Sequence, residues 1–87
     1  MKPNAIIINN RDNVAVVLAD VTKGETLCLA DGRQLIAIED IPFGHKIALT
    51  EIQRGRDIIK YGEVIGQAKQ DIERGGWVHA HNLVCED

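Results

Sequence analysis

One short pattern paces the chain and is used four times: an acid, a β-branched residue, two variable positions, then glycine. It reads Asp20-Val21-Thr22-Lys23-Gly24, Asp40-Ile41-Pro42-Phe43-Gly44, Glu51-Ile52-Gln53-Arg54-Gly55 and Asp71-Ile72-Glu73-Arg74-Gly75. The physics is that of a tight turn feeding a strand. The acid is expected to bond the backbone two residues on, and glycine supplies a positive φ at little steric cost. Pro42 suits an early turn position through its fixed φ. The acids stand at 20, 40, 51 and 71, in steps of 20, 11 and 20. That spacing hints at two related halves but is too irregular for a solenoid or propeller.

Between the turns lie short apolar runs. Ala5 to Ile8 reads as a strand, and Val14 to Leu18 as a second one buried on both faces. Asp31-Gly32 predicts a hairpin that makes antiparallel neighbours of Leu27–Leu29 and Gln34–Ile38, as a peripheral ribbon. Gly66 inside Val64–Ala68 suggests a bulge or a close backbone approach. Trp77 to Asn82 is expected to be the final strand and Leu83 to Asp87 a tail. A helical turn at Lys69–Arg74 competes with the last acidic turn, and helical periodicity over eleven or more residues is absent. The expected core includes Ile6, Ile8, Val14, Val16, Leu18, Ile47, Leu49, Ile58 and Ile65. The fold class is mostly β, with short bent strands and little helix.

The 87 residues are expected to form a single domain, 1–87, with no room for a second core. Such a core is often marginal alone, which points to a larger partner, or to self-association when isolated. The net charge of -3, with acids and bases interspersed and no basic stripe, argues against nucleic acid. No apolar run suits a membrane span or a signal peptide. The widely separated Cys28 and Cys85 fit a reduced, cytoplasmic protein.

His79 and His81 are the sharpest chemical feature. Alternate strand residues share a face, and two neighbouring imidazoles are half of a common transition-metal site. They equally suit carboxylate binding or proton relay, and the plain alternative is a polar edge strand. His45-Lys46 follows the Gly44 turn, where an imidazole is accessible as acid, base or ligand or is simply a solvated strand start. Lys60-Tyr61-Gly62 places a cation and a phenol at another turn, able to clamp a carboxylate or to form a surface pair. All three histidines and all three aromatics fall between Phe43 and His81, which suggests one functional face from the second half.

Three ordered blocks carry a resemblance: Asp40-Ile41-Pro42-x-Gly44-His45-Lys46-Ile47-Ala48-Leu49, Ile59-Lys60-Tyr61-Gly62-x-x-Ile65-Gly66 and His79-x-His81-Asn82. Together they resemble the N-terminal SAF domain of altronate and galactarate dehydratases, a β-clip fold, over the span from Asp12 to Asn82. The chain is also similar to the small subunit of sulfolactate sulfo-lyase. The resemblance implies a hydro-lyase that dehydrates a sugar acid to a 2-keto-3-deoxy acid with a divalent metal, iron or manganese. It implies a small subunit, inactive alone, that shares its active site and metal with a separate large dehydratase subunit. Carried onto this sequence, His79 and His81 become candidate metal ligands and His45 a candidate acid/base. Lys46, Lys60, Tyr61 and Asn82 become candidate substrate contacts. The alternative is a non-catalytic substrate-binding or lid module of a carbohydrate-acid or sulfolactate lyase complex.

Overall fold

In the computed structural model, which describes residues 4–85, the four acidic segments fold alike. Each closes a turn by an N–H···O=C bond three residues long. These run from Glu25 to Thr22, His45 to Pro42, Arg56 to Gln53 and Gly76 to Glu73, at 2.9–3.0 Å. The glycine in third place has a φ between 82° and 91° in every copy, the left-handed value that a side chain with a Cβ resists.

The three aspartates do something other than expected. Instead of bonding their own turns, they reach across to another. The pairs Val21↔Ile41 and Ile52↔Ile72 form isolated antiparallel bridges, which lay the turns side by side in twos. Asp20 Oδ1 then accepts from Phe43 N at 2.9 Å, and Asp40 Oδ1 from Lys23 N at 2.8 Å. Asp71 Oδ1 accepts from Arg54 N at 2.8 Å.

The two pairs are related by a constant offset, from 20 to 51 and from 40 to 71. The same 31-residue shift carries Leu27 onto Ile58, both fully buried, and Ala37 onto Ala68. It also reproduces the hydrogen bonds. Gly24 donates to Ala37 and Ala37 to Glu25, as Gly55 donates to Ala68 and Ala68 to Arg56. The spacing of the acids therefore marks a genuine structural repeat.

The described residues contain no helix and nine strands: β1 Ala5–Ile6, β2 Val14–Val17, β3 Thr26–Cys28, β4 Gln34–Ile36, β5 Lys46–Ala48, β6 Asp57–Lys60, β7 Glu63–Ala68, β8 Trp77–Val78 and β9 Leu83–Cys85. They form three small antiparallel sheets, β1-β2-β5-β8, the β3-β4 ribbon around Asp31-Gly32, and β6-β7-β9. In the four-stranded sheet the repeat sets the order, because β2, β5 and β8 are successive equivalents under the shift.

Those three strands are buried on both sides, so the interior divides in two. Ala15, Val17, Ile47 and Leu49 join Leu27, Leu35 and Ile41 in one cluster. Val14, Ala48 and Val78 join Ile52, Ile58 and Ile72 in the other. Size alone argues for one core, yet alternate residues of a sheet covered on both faces feed two.

Strand phase corrects the expected core at one end. Ile6, Ile8 and Leu18 are 42%, 55% and 45% exposed, while Ala5 and Val17 are buried and Ile7 packs against the first cluster. A one-residue slip exchanges the faces of a strand, and the run Ala5–Ile8 is apolar at every position. Val14, Ile47, Leu49 and Ile58 are buried as expected, and Val16 and Ile65 are half-buried. Gly66 has both features expected of it. The β6–β7 register shifts beside it, and an added Cβ would lie 2.1 Å from Val84 O on β9. The expected tail is partly a strand: Leu83, Val84 and Cys85 pair with β7, and Glu86 and Asp87 lie outside the described residues.

Candidate functional site

The expected last strand stops at Val78. Residues 79–82 form a turn that leads into β9, and Asn82 builds it. Its N–H donates to His79 O at 3.0 Å, and its Oδ1 accepts from His79 N at 2.9 Å. Its Nδ2 donates to Trp77 O at 2.7 Å. Asn82 is buried, so this proposed substrate contact spends its amide on the backbone that carries both histidines. An asparagine that satisfies a turn from within is common where the chain leaves a strand.

The β5–β8 ladder explains how His45 joins them. Ile47 pairs with Trp77 and Lys46 with Val78, so continuing the register brings His45 opposite His79. Their ring centroids are 4.6 Å apart. Trp77, diagonal to His45 on the same face, meets all three imidazoles. It lies edge-on to His45 at 5.5 Å, stacks on His79 at 5.5 Å with 12° between planes, and touches His81 at 5.1 Å. Its indole Nε1–H donates to His45 Nδ1 at 3.2 Å.

The structure thus brings together His45, His79 and His81, with Lys46 beside them on β5. His45 and Lys46 are half-buried, and His79 and His81 are exposed. His79 has its pKa lowered, first by desolvation and then by the positive potential of His45, Lys46 and His81. It is therefore neutral at pH 7, with a ring nitrogen lone pair available. On its far side His81 borders a groove of about 400 Å³ whose walls include Glu39, Asp71 and Glu73. A larger hollow, about 660 Å³ between Asn13, Gln53 and Arg56, carries no histidine.

Among the described residues, no group of three or more His, Cys, Asp or Glu is arranged to hold a metal ion. His79 and His81 supply at most two imidazoles, which is part of a donor set and not a closed site.

Lys60 and Tyr61 stand apart. Lys60 pairs with Glu63, so Tyr61-Gly62 is the two-residue tip of the β6–β7 hairpin, with φ of 57° and 75°. Lys60 Nζ lies 4.7 Å from the Tyr61 ring centre. Asp12 Oδ1 accepts from Gly62 N at 2.7 Å. The histidine turn adjoins the other end of β7, where Ala68 pairs with Leu83, roughly 16 Å away along the strand. One face holding Lys60 and Tyr61 together with His45, His79 and His81 is therefore not what the structure shows. Trp77 is the residue missing from the expected set. Its signal was visible as an aromatic two positions before His79, on the same face of a strand.

The altronate/galactarate dehydratase SAF domain matches residues 3–86. The chain belongs to this family. It is 47% identical to altronate dehydratase of Escherichia coli (strain K12) over 77 residues, which is 88% of this chain and 15% of that protein. It is 44% identical to galactarate dehydratase (L-threo-forming) of the same organism over 82 residues, 94% of this chain and 15% of that protein. The SAF chain thus spans about 15% of these dehydratases. It is also 51% identical to (2R)-sulfolactate sulfo-lyase subunit alpha of Paracoccus pantotrophus over 49 residues, 56% of this chain and 73% of that subunit. No helix among the described residues is long and apolar enough to cross a membrane.

Proposed function

We propose that this SAF chain is the small subunit of a cytoplasmic lyase that dehydrates a sugar acid such as altronate or galactarate, working with a separate large dehydratase chain. The observation that carries this reading is the convergence of His45, His79 and His81 around Trp77 in a domain of that family.

The reaction must remove a proton α to a carboxylate, which places a second negative charge beside the first. Lys46 supplies positive charge, and the imidazoles N–H donors, for that anion. Neutral His79 offers a lone pair to a proton or a metal, and the Asn82 turn holds it in place. His45, opposite His79, is placed to exchange a proton with the substrate or to donate a hydrogen bond to it. The chemistry that a divalent iron or manganese ion supplies, when held jointly by His79, His81 and the large chain, is Lewis-acid polarisation of the substrate's oxygens. Lys60 and Tyr61 lie outside this face; we assign them to contacts the hairpin tip makes in the assembled enzyme.

A second reading has its own support, since the match spans 73% of a sulfo-lyase alpha subunit. There sulfite replaces water as the leaving group and the same face grips the acid. Assaying the chain with a co-expressed large subunit on altronate, galactarate and sulfolactate separates the two. The chain alone should turn over none of them, and measurable dehydration by the purified chain would overturn the shared-site reading. Loss of turnover in His79→Ala with metal content unchanged would assign a gripping role. If alanine at all three histidines leaves the kinetics untouched, the domain is a structural adaptor.

A further inference from the structure

The bond from Trp77 to His45 has a consequence for the proton on the imidazole. An indole N–H donates and cannot accept, and it points at His45 Nδ1 from 3.2 Å. Nδ1 must then carry the lone pair, so the neutral ring holds its proton on Nε2. We infer that Trp77 is a positioning residue that fixes His45 as its Nε2–H tautomer, so that this ring offers the site a hydrogen-bond donor.

Trp77 is itself held for that task. Its backbone N–H donates to Glu39 Oε2 at 2.9 Å, and its carbonyl accepts from Asn82 Nδ2 at 2.7 Å. Its ring is stacked on His79, packed against His81 and partly buried against the first core cluster. Its partner His45 is tied on both sides, with His45 N bonded to Pro42 O and His45 O accepting from Val17 N, each at 3.0 Å. The backbone bonds fix where the two side chains start, and the ring contacts with one another, with His79 and with His81 restrain how they turn. The Nε2–H suits an oxygen acceptor such as a carboxylate or hydroxyl. That use rests on the lyase reading, whereas the tautomer does not.

Two-bond proton–nitrogen correlation spectra of the metal-free, ¹⁵N-labelled chain at pH 8 test the tautomer directly. The expected spectrum shows a pyridine-like Nδ1 and a pyrrole-like Nε2 for His45, and in Trp77→Phe the Nδ1–H form should appear. A protonated Nδ1 in the wild type overturns the inference, as does an unchanged tautomer ratio in a folded Trp77→Phe. Should that variant fail to fold, the indole Nε1–H resonance decides. It should shift in His45→Ala, and an unmoved resonance counts against the bond. The use on substrate is tested in the complex with the large subunit. Glutamine keeps an N–H near the Nε2 position and cannot act as a base, so His45→Gln should exceed His45→Ala in kcat by about tenfold, the worth of one hydrogen bond. Equal losses would remove the donor role and leave the tautomer standing. A wild-type complex without turnover would remove the lyase reading alone.

Discussion

Asp20 and Asp40 each close the other's turn. Asp20 bonds Phe43 N and Asp40 bonds Lys23 N, at 2.9 and 2.8 Å, across the Val21↔Ile41 bridge. Each carboxylate does for a neighbouring turn what a capping side chain does for a helix end. Replacing either by alanine should cost about 0.5–2 kcal/mol, the range of capping losses. The double variant should lose less than the sum, because the first substitution already loosens the turn that the second carboxylate holds. Urea unfolding of the four proteins measures this. Strict additivity would show that the two bonds act independently.

The repeat makes a sharper prediction at its one irregular position. Asp71 caps Arg54 N, and the equivalent acid in the partner turn is Glu51, one methylene longer. Among the described residues, no counterpart bond links Arg74 N to Glu51. Glu51→Asp shortens the side chain to match the other three positions and should add a fourth cap, stabilising by about 0.5–1 kcal/mol, the net value of a hydrogen bond. An unchanged or lowered unfolding midpoint would show that the second pair of turns is spaced too widely for it.

Two glycines are fixed by what lies beside them. A Cβ at Gly24 would meet open space, so Gly24→Ala carries only the positive-φ cost, about 1–2 kcal/mol. A Cβ at Gly75 would sit 2.1 Å from Ile36 O, with φ at 86°, and one at Gly66 would sit 2.1 Å from Val84 O. Both obstacles are backbone, so a strand must move. Gly66→Ala and Gly75→Ala should each lose more than about 3 kcal/mol, in the range reserved for such clashes. Gly66→Ala should also speed hydrogen exchange along β9, and normal protection there would contradict the packing described.

What could be read from the sequence was mostly local. The four turns were legible because glycine and the acid announce them within five residues, and the 20-residue steps hinted at two related halves without saying which turn lies beside which. Which turn each acid bonds was not legible, since Asp20 and Phe43 meet only through the Val21↔Ile41 bridge. Nor was the phase of Ala5–Ile8, where every residue is apolar and either face suits a core. His79 and His81 were recognised as neighbours, but for a strand that Asn82 in fact ends. The separation of Lys60 and Tyr61 from the histidines depends on which end of β7 meets Leu83, a long-range pairing that spacing does not encode.

His79 connects the site to stability through its proton. Its folded pKa lies below the ordinary 6.5, because desolvation and the charges of His45, Lys46 and His81 oppose a further positive charge. Above 6.5 the residue is neutral in both states and contributes nothing to the pH dependence. As pH falls through 6.5 the unfolded chain takes up the proton first and the folded chain resists. The unfolded state then binds more protons, so stability falls on acidification until the folded pKa is passed. The metal-free wild type should therefore lose stability between pH 7.5 and 5 by more than His79→Gln does. The His79 ring protons should titrate below 6.5 in the folded chain, and an Ala variant at Lys46 should move that midpoint upward. A folded midpoint at or above 6.5 would mean that the cluster does not hold His79 neutral, and the lone pair assigned to it would be lost near pH 6.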